Sequence, residues 1–245
     1  MALECAEARA MMTDHISKQY DQDLVAIRSR MMQMGGLVES HIRMAMAGYL
    51  DGDVARAEQV ISGDAKVNEL ELAIDNDLGQ IVVRRQPAAS DLRLILAASK
   101  IVTDLERIGD EATKIARAAR DIHANGPMSG TRIVPIGHLS DVALGMLRRA
   151  LDAFARLDAV AAARVCGEDS AIDEEFRAIM RQLITHMMED PRTISTSMMV
   201  VWLAKAFERI GDHARNIAEY VIYIVKGRDV RHIPLAELEK EALGR

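Results

Sequence analysis

Two pairs of carboxylates carry the clearest chemistry in this sequence. Glu106 and Asp110 stand four residues apart, and so do Glu208 and Asp212. On a helix that spacing puts both acids of a pair on one face, where like charges cost about 0.2–0.5 kcal/mol. Something positive must offset the repulsion. One candidate is an arginine across a bundle, and Arg107 and Arg209 are also close by. The sharper candidate is a divalent or trivalent metal ion, which hard carboxylate oxygens suit.

Both pairs lie in one repeated segment, ERIGDEATKIA at 106–116 and ERIGDHARNIA at 208–218, identical at eight of eleven positions. Each copy holds a glycine, Gly109 or Gly211, that costs about 1 kcal/mol relative to alanine inside a helix. Close approach of a neighbouring helix is the reading for such a residue. His213 follows Asp212, but its counterpart in the first copy is Glu111, so it is not a shared ligand.

Other chemistry finds little support. The chain has no GxSxG, HExxH or GxxxxGK[ST] motif and no Glu-x-x-His pair of the di-iron bundle type, so the reading is a non-enzyme. Cys5 and Cys166 are far apart, with no CxxC, which argues against disulfide frameworks, structural zinc and iron–sulfur ligation. The fifteen methionines read as flexible core filling rather than copper ligands.

The elements that must position these acids are helices. Aromatics are only 3% of the chain while Ala, Leu, Ile and Met are plentiful, which favours helices packed through aliphatic side chains. Apolar residues recur at spacings of three and four, as in Leu94, Ala98, Ile101, Leu105, Ile108, Ala112 and Ile115. Breakers then divide the chain into six long helices. The spacing predicts helices over 21–50, from Asp53 to Arg85, and from Ser90 or Asp91 to His123. It predicts three more over 136–157, 158–188 and 194–226, with Gly227 ending the last and a short helix after Pro234. Asn125-Gly126-Pro127, Gly130 and Pro135 form the linker between the halves.

The halves are copies. Asp53, Ala57, Val60, Asp64 and Val67 align with Asp158, Ala162, Val165, Asp169 and Ile172 at a constant offset of 105, and the ERIGD segments align at an offset of 102. Pro87 and Pro191 mark the same turn in each. The fold class is therefore all-α, two tandem three-helix bundles, with the first repeat over 1–125 (its first 13 residues read as disordered) and the second over 131–245.

Antiparallel packing within each repeat says what faces the acid pairs. With the turn centred near residues 87–88, Glu106 falls opposite about residue 69 and Asp110 opposite about residue 65, beside Asp64, Asn68, Glu71 and Asp75. Glu208 and Asp212 fall opposite about residues 174 and 170, close to Asp169 and Asp173. Carboxylates face carboxylates in both copies, and a bound cation explains that better than a salt bridge.

The totals narrow the function classes. A formal charge of −6 argues against a nucleic-acid binder. No window has the uninterrupted apolar length of a membrane span, and the N-terminal segment with Glu4, Glu7 and Asp14 does not read as a signal peptide, so the expectation is a cytoplasmic chain.

Several blocks resemble the PhoU family of bacterial phosphate-signalling proteins. They are DHISKQYDQDL (14–24), the Met-Gly-Gly at 34–36, DAKVNELELAID (64–75), RRQPAASDLR (84–93), both ERIGD segments, HMMEDPRTI (186–194) and YVIYIVKGRDVRH (220–232). They run in order over essentially all of the chain after about residue 13.

The resemblance implies two similar three-helix bundles with metal sites on their surfaces, built from paired Glu/Asp-x-x-x-Asp motifs. The residues it points to are Glu106 and Asp110 facing Asp64, Glu71 and Asp75, and Glu208 and Asp212 facing Asp169 and Asp173. Asn68 stands where the second copy has Asp173, and an amide is the weaker ligand. The metal expected is iron, zinc, manganese or magnesium, which the sequence does not distinguish. A homodimer is implied as well.

The function implied is negative regulation of the phosphate-starvation response. The family links the phosphate ABC transporter, through its ATPase subunit, to a membrane sensor histidine kinase. Membrane association would then come only through partners. The alternative class is a carboxylate-bridged metal-binding helical bundle with storage or redox activity, and a plain helical scaffold with solvated acids is the third.

Overall fold

The computed structural model describes residues 18–85, 87, 89–124 and 136–244. The expected disordered segment at 1–13 and the linker residues 125–135 lie outside the described residues.

Six long helices and one short one carry the fold among the described residues. They are α1 (Lys18–Asp51), α2 (Val54–Arg85), α3 (Ala89–Ala124), α4 (Gly137–Arg156), α5 (Ala159–Glu189), α6 (Ile194–Lys226) and α7 (Leu235–Leu243). A single 3₁₀ turn, Pro191–Thr193, joins α5 to α6. The predicted helices all form, within three residues of their expected ends.

Each helix exists because its apolar stripe finds a partner. Along α1, Ile27, Met31, Met34, Val38, Ile42, Ala45 and Tyr49 are buried at spacings of three and four. Along α3 the stripe is Ile101, Leu105, Ile108, Ala112, Ile115 and Ala119. Leu105 and its counterpart Phe207 in α6 are both fully buried, each contributing about 1.5–3 kcal/mol.

The helix ends repeat too. Asp53 Oδ1 accepts from the Arg56 backbone N–H at 3.1 Å and opens α2, as expected of that residue. Its counterpart Asp158 accepts from the Ala161 backbone N–H at 2.8 Å and opens α5. The turn before α2 passes through Gly52 at φ +69° and α6 ends at Gly227 at φ +76°, a backbone region that glycine enters without strain. The Gly227 N–H closes the last turn on the Tyr223 carbonyl at 2.9 Å.

α1, α2 and α3 form one bundle, and α4, α5 and α6 the other, with α7 against α5. The bundles meet along α3 and α6, which run antiparallel. Asp104 of α3 shares a hydrogen bond with His213 Nδ1 at 2.7 Å and accepts another from Asn216 Nδ2 at 3.2 Å. Further along, Arg209 of α6 lies 3.1 Å from the buried Glu111 carboxylate. A second seam joins α1 to α4, where Arg148 Nε donates to Glu39 at 2.8 Å and Arg28 sits over the Phe154 ring.

Antiparallel packing of α3 on α6 sends the two hairpin turns to opposite ends of the molecule. Val83, Leu92 and Leu96 are exposed at one end. Ile184, Met188, Ile194, Met198 and Trp202 are exposed at the other. No helix among the described residues is long and apolar enough to cross a membrane.

Candidate functional site

The acid groups sit on the outer seam of each bundle, between α2 and α3 in the first repeat and between α5 and α6 in the second. The two ERIGD glycines set that seam. A Cβ on Gly109 would stand 3.1 Å from Val67 Cγ1, and one on Gly211 would stand 2.4 Å from Ile172 Cδ1. Close approach of the helices is thus what both glycines serve. The same contacts put residue 109 level with residue 67, within about one residue of the expected alignment.

In the first repeat the acids press on one another. Burial raises the Glu71 carboxyl above its ordinary range, and the charges of Glu106, Asp75 and Asp110 raise it further against the pull of Arg107. Glu106 is raised in the same way, by burial first, then by Asp110 and Asp64. The partners these acids do have are mostly neutral. Thr113 Oγ1 donates to Asp64 Oδ1 at 3.1 Å and Ser99 Oγ donates to Asp75 Oδ1 at 3.0 Å. The cation at the site is Arg107, 3.5 Å from Glu106 and 3.5 Å from Asp110, beyond good hydrogen-bonding distance. Asn68, on the same stretch of α2, has a buried Oδ1 with no hydrogen-bond partner.

The second repeat is built from the same backbone plan with different partners. Arg215 Nη1 donates to Asp169 at 2.6 Å and its Nε donates to the buried Glu219 at 3.0 Å. Lys205 Nζ donates to Glu208 Oε1 at 2.6 Å. Asp173 turns along its own helix to Arg177 at 2.9 Å, rather than toward Glu208 and Asp212. Asp212 remains open to solvent, yet its carboxyl is pushed up to about 6 by partial desolvation, then by Glu208 and Asp169.

Position by position, the cations of the second repeat have neutral counterparts in the first. Arg215 corresponds to Thr113, Lys205 to Thr103 and Arg177 to Leu72. Two acids of the first repeat, Glu71 and Asp75, correspond to Phe176 and Met180. Lys205 lies over the Phe176 ring. Arg209, the counterpart of Arg107, leaves its own acid pair and reaches Glu111 on the other bundle.

Neither Arg215 nor the Asp104–His213 contact was singled out from sequence. Arg215 lies seven residues after Glu208, two helical turns along the same face, and that spacing was the available signal. The Asp104–His213 contact depends on how one bundle docks on the other, which leaves no periodic mark in either helix.

Among the described residues, no three His, Cys, Asp or Glu side chains are gathered closely enough to hold an ion. The first repeat supplies the oxygen donors a hard cation takes, but the side chains as they stand are not gathered into a site for one. Five carboxylates lie on this seam, Glu71 and Glu106 raised first by burial and then by the neighbouring acids, and the Asn68 carbonyl oxygen lies buried without a partner. In the second repeat Asp169, Glu208 and Asp173 have ion-pair partners in Arg215, Lys205 and Arg177, while Asp212 has none among the described residues.

A helical double bundle built from two repeats matches a known family. The PhoU domain matches this sequence twice, at residues 31–119 and 136–221, once in each repeat. The chain belongs to the PhoU family. It is 48% identical over 233 residues to the phosphate-specific transport system accessory protein PhoU homolog of Pseudomonas putida, covering 95% of this chain and 91% of that relative. It is 42% identical over 231 residues to the phosphate-specific transport system accessory protein PhoU of Escherichia coli K12, covering 94% and 95%. The crystal structure of PhoU from Pseudomonas aeruginosa matches with a TM-score of 0.82 at 46% identity, covering 85% of this chain and all of that one.

Proposed function

We propose that this chain is a negative regulator of the phosphate-starvation response. It acts as an adaptor in the cytoplasm between the ATPase subunit of the phosphate ABC transporter and a phosphate sensor histidine kinase. It modulates phosphate uptake and meets the membrane only through those partners, as a homodimer. The observation that carries this reading is end-to-end likeness to proteins named for the phosphate-specific transport system, over more than nine-tenths of their length. A chain that matches both repeats and nearly the full length of such proteins is expected to share their role.

The regulatory reading also suits the chemistry. The seams hold acids and closely packed glycines rather than a nucleophile poised beside a base. In this reading a hard metal ion (iron, zinc, manganese or magnesium) binds the carboxylates of the first repeat, Asp64, Glu71, Asp75, Glu106 and Asp110. In the second repeat, Asp169, Glu208 and Asp212 with the outlying Asp173 would hold it. Bound there, the ion neutralises the acids and fixes the packing of the two helices whose surface the partners read.

Alkaline phosphatase output in phosphate-rich medium tests the function. A host strain lacking this chain should give high output, and wild-type chain should restore low output. Low output with the chain absent would sink the regulatory reading. Replacing Glu106, Asp110, Glu208 and Asp212 together with alanine, in a folded and expressed protein, should leave output high if the carboxylates serve signalling.

A further inference from the structure

We propose that the N-terminal segment of this chain, residues 1–13, docks in the apolar groove between α1, α3 and α4 and places an acid, Glu4 or Glu7, against Arg28. The docking stands apart from both the regulatory and the metal reading, and the groove holds none of the seam acids.

The groove exists because two paired helices end at different places. α1 and α4 run antiparallel, with Arg148 against Glu39 and Phe154 under Arg28. α4 stops at Arg156, whereas α1 runs on from Arg28 to Lys18, about three more turns. Along that stretch Val25 is 61% exposed and Leu24 half-buried, beside Leu94 of α3 and over a floor of Leu78 and Phe154. Arg28 lines the same groove, half-buried, and burial lowers its pKa with no carboxylate acting on it. A guanidinium stays charged, and a desolvated charge without an opposite one is costly. The groove is therefore apolar and short of one negative charge among the described residues.

The first thirteen residues carry the matching chemistry. MALECAEARAMMT offers Leu3, Met11 and Met12 with Glu4 and Glu7, against one cation, Arg9. Methionine side chains adapt readily to an irregular apolar surface. The segment is also within reach. Lys18, where α1 starts, lies about 10 Å along the helix from Val25, and thirteen extended residues span up to about 43 Å. Residues 14–17 are left to reverse the chain. A tether that short gives an effective concentration in the millimolar range, so contacts too weak to hold a free peptide suffice. Docked, the segment shields Leu24 and Val25 from water, supplies Arg28 with a carboxylate and closes the groove to any other apolar, acidic chain.

The test uses the full chain with a nitroxide on Cys5. Burial pushes the Cys166 thiol up to about 12, so Cys5 is the thiol that takes the label. In methyl NMR spectra the label should broaden Leu24, Val25 and Leu94 and leave Ile184 and Ile194, at the opposite end of the molecule, sharp. Arg28→Gln, and separately Glu4→Gln/Glu7→Gln, should weaken docking roughly tenfold and return the groove signals to near full intensity. The Glu4/Glu7 variant leaves the helices untouched, so it decides the matter even if Arg28→Gln fails to fold. Groove signals that stay sharp in labelled wild type would overturn the proposal, and so would broadening that neither charge variant reduces. Mixing spin-labelled chain at natural isotopic abundance with isotope-labelled chain free of nitroxide should leave the groove signals sharp. Broadening in that mixture would assign the groove to the segment of a second copy and overturn the proposal as well.

Discussion

The two repeats share a backbone plan and treat their acids in opposite ways. In the first, acids face acids, and neutral Thr113 and Ser99 are their nearest donors. In the second, Arg215, Lys205 and Arg177 pair with Asp169, Glu208 and Asp173 at the protein surface, and Asp212 is left without such a partner among the described residues. Duplication preserved what packing demands: the caps at Asp53 and Asp158, the glycines at 109 and 211, and the buried stripe. It did not preserve charge balance, which a seam open to solvent can vary without unfolding the bundle.

The largest effect that could break this contrast is loss of Arg215. Arg215→Ala removes the hydrogen-bonded counter-charge of the half-buried Asp169 and the buried Glu219, and should cost about 3 kcal/mol. In thermal denaturation that is a fall in Tm of about 10 °C for a chain of this size. The metal effect comes next. Mn²⁺ at a hundred times its Kd should stabilise wild type by about 2.7 kcal/mol in a thermal shift. That gain should be lost when Glu106→Gln/Asp110→Asn and Glu208→Gln/Asp212→Asn are combined in one folded variant.

Smaller still is Thr113→Ala, which removes one neutral hydrogen bond and should cost about 1 kcal/mol by urea denaturation. A loss as large as that of Arg215→Ala would show that the hydroxyl and the guanidinium do equivalent work, and the contrast would fail.

The smallest effect is a pH dependence in the second repeat. The folded-state Asp212 carboxyl is pushed up to about 6, above its ordinary unfolded value, so the folded state holds the proton more tightly. Stability of the metal-free protein from this group is therefore greatest below about pH 4 and falls as pH rises to about 6. Asp212 is open to solvent, so screening limits the loss to at most about 1 kcal/mol. Asp212→Asn should flatten that part of the profile in urea midpoints measured at acid and neutral pH. An unchanged slope would place the strain of the second seam elsewhere.

Most of the fold was legible in the sequence because it rests on local and periodic signals. Asp53 as a cap, Gly227 as a terminator and the buried stripe of α3 each announce themselves within a few residues. The facing of α2 and α3 was legible as well, since a short turn at Pro87 fixes the alignment and Gly109 does meet Val67. The partners of the acids were not. Asp173 belonged by alignment with the second acid group, but a side chain with a choice takes the nearer charge, and Arg177 is one turn away. Sequence gives the place of a residue on a helix. Which of several neighbours its side chain chooses depends on rotamer and solvent access. His213 illustrates the further step, for its partner Asp104 lies on the other bundle.

The antiparallel pairing of α3 with α6 makes the molecule a strut. α3 alone is about 54 Å long. The two apolar tips, one with Leu92 and Leu96 and the other with Met198 and Trp202, stand at the poles of that rod and point in opposite directions. Two bodies gripping the poles would be held roughly one helix length apart and would not collide. The Asp104–His213 and Glu111–Arg209 contacts tie α3 to α6 between those poles.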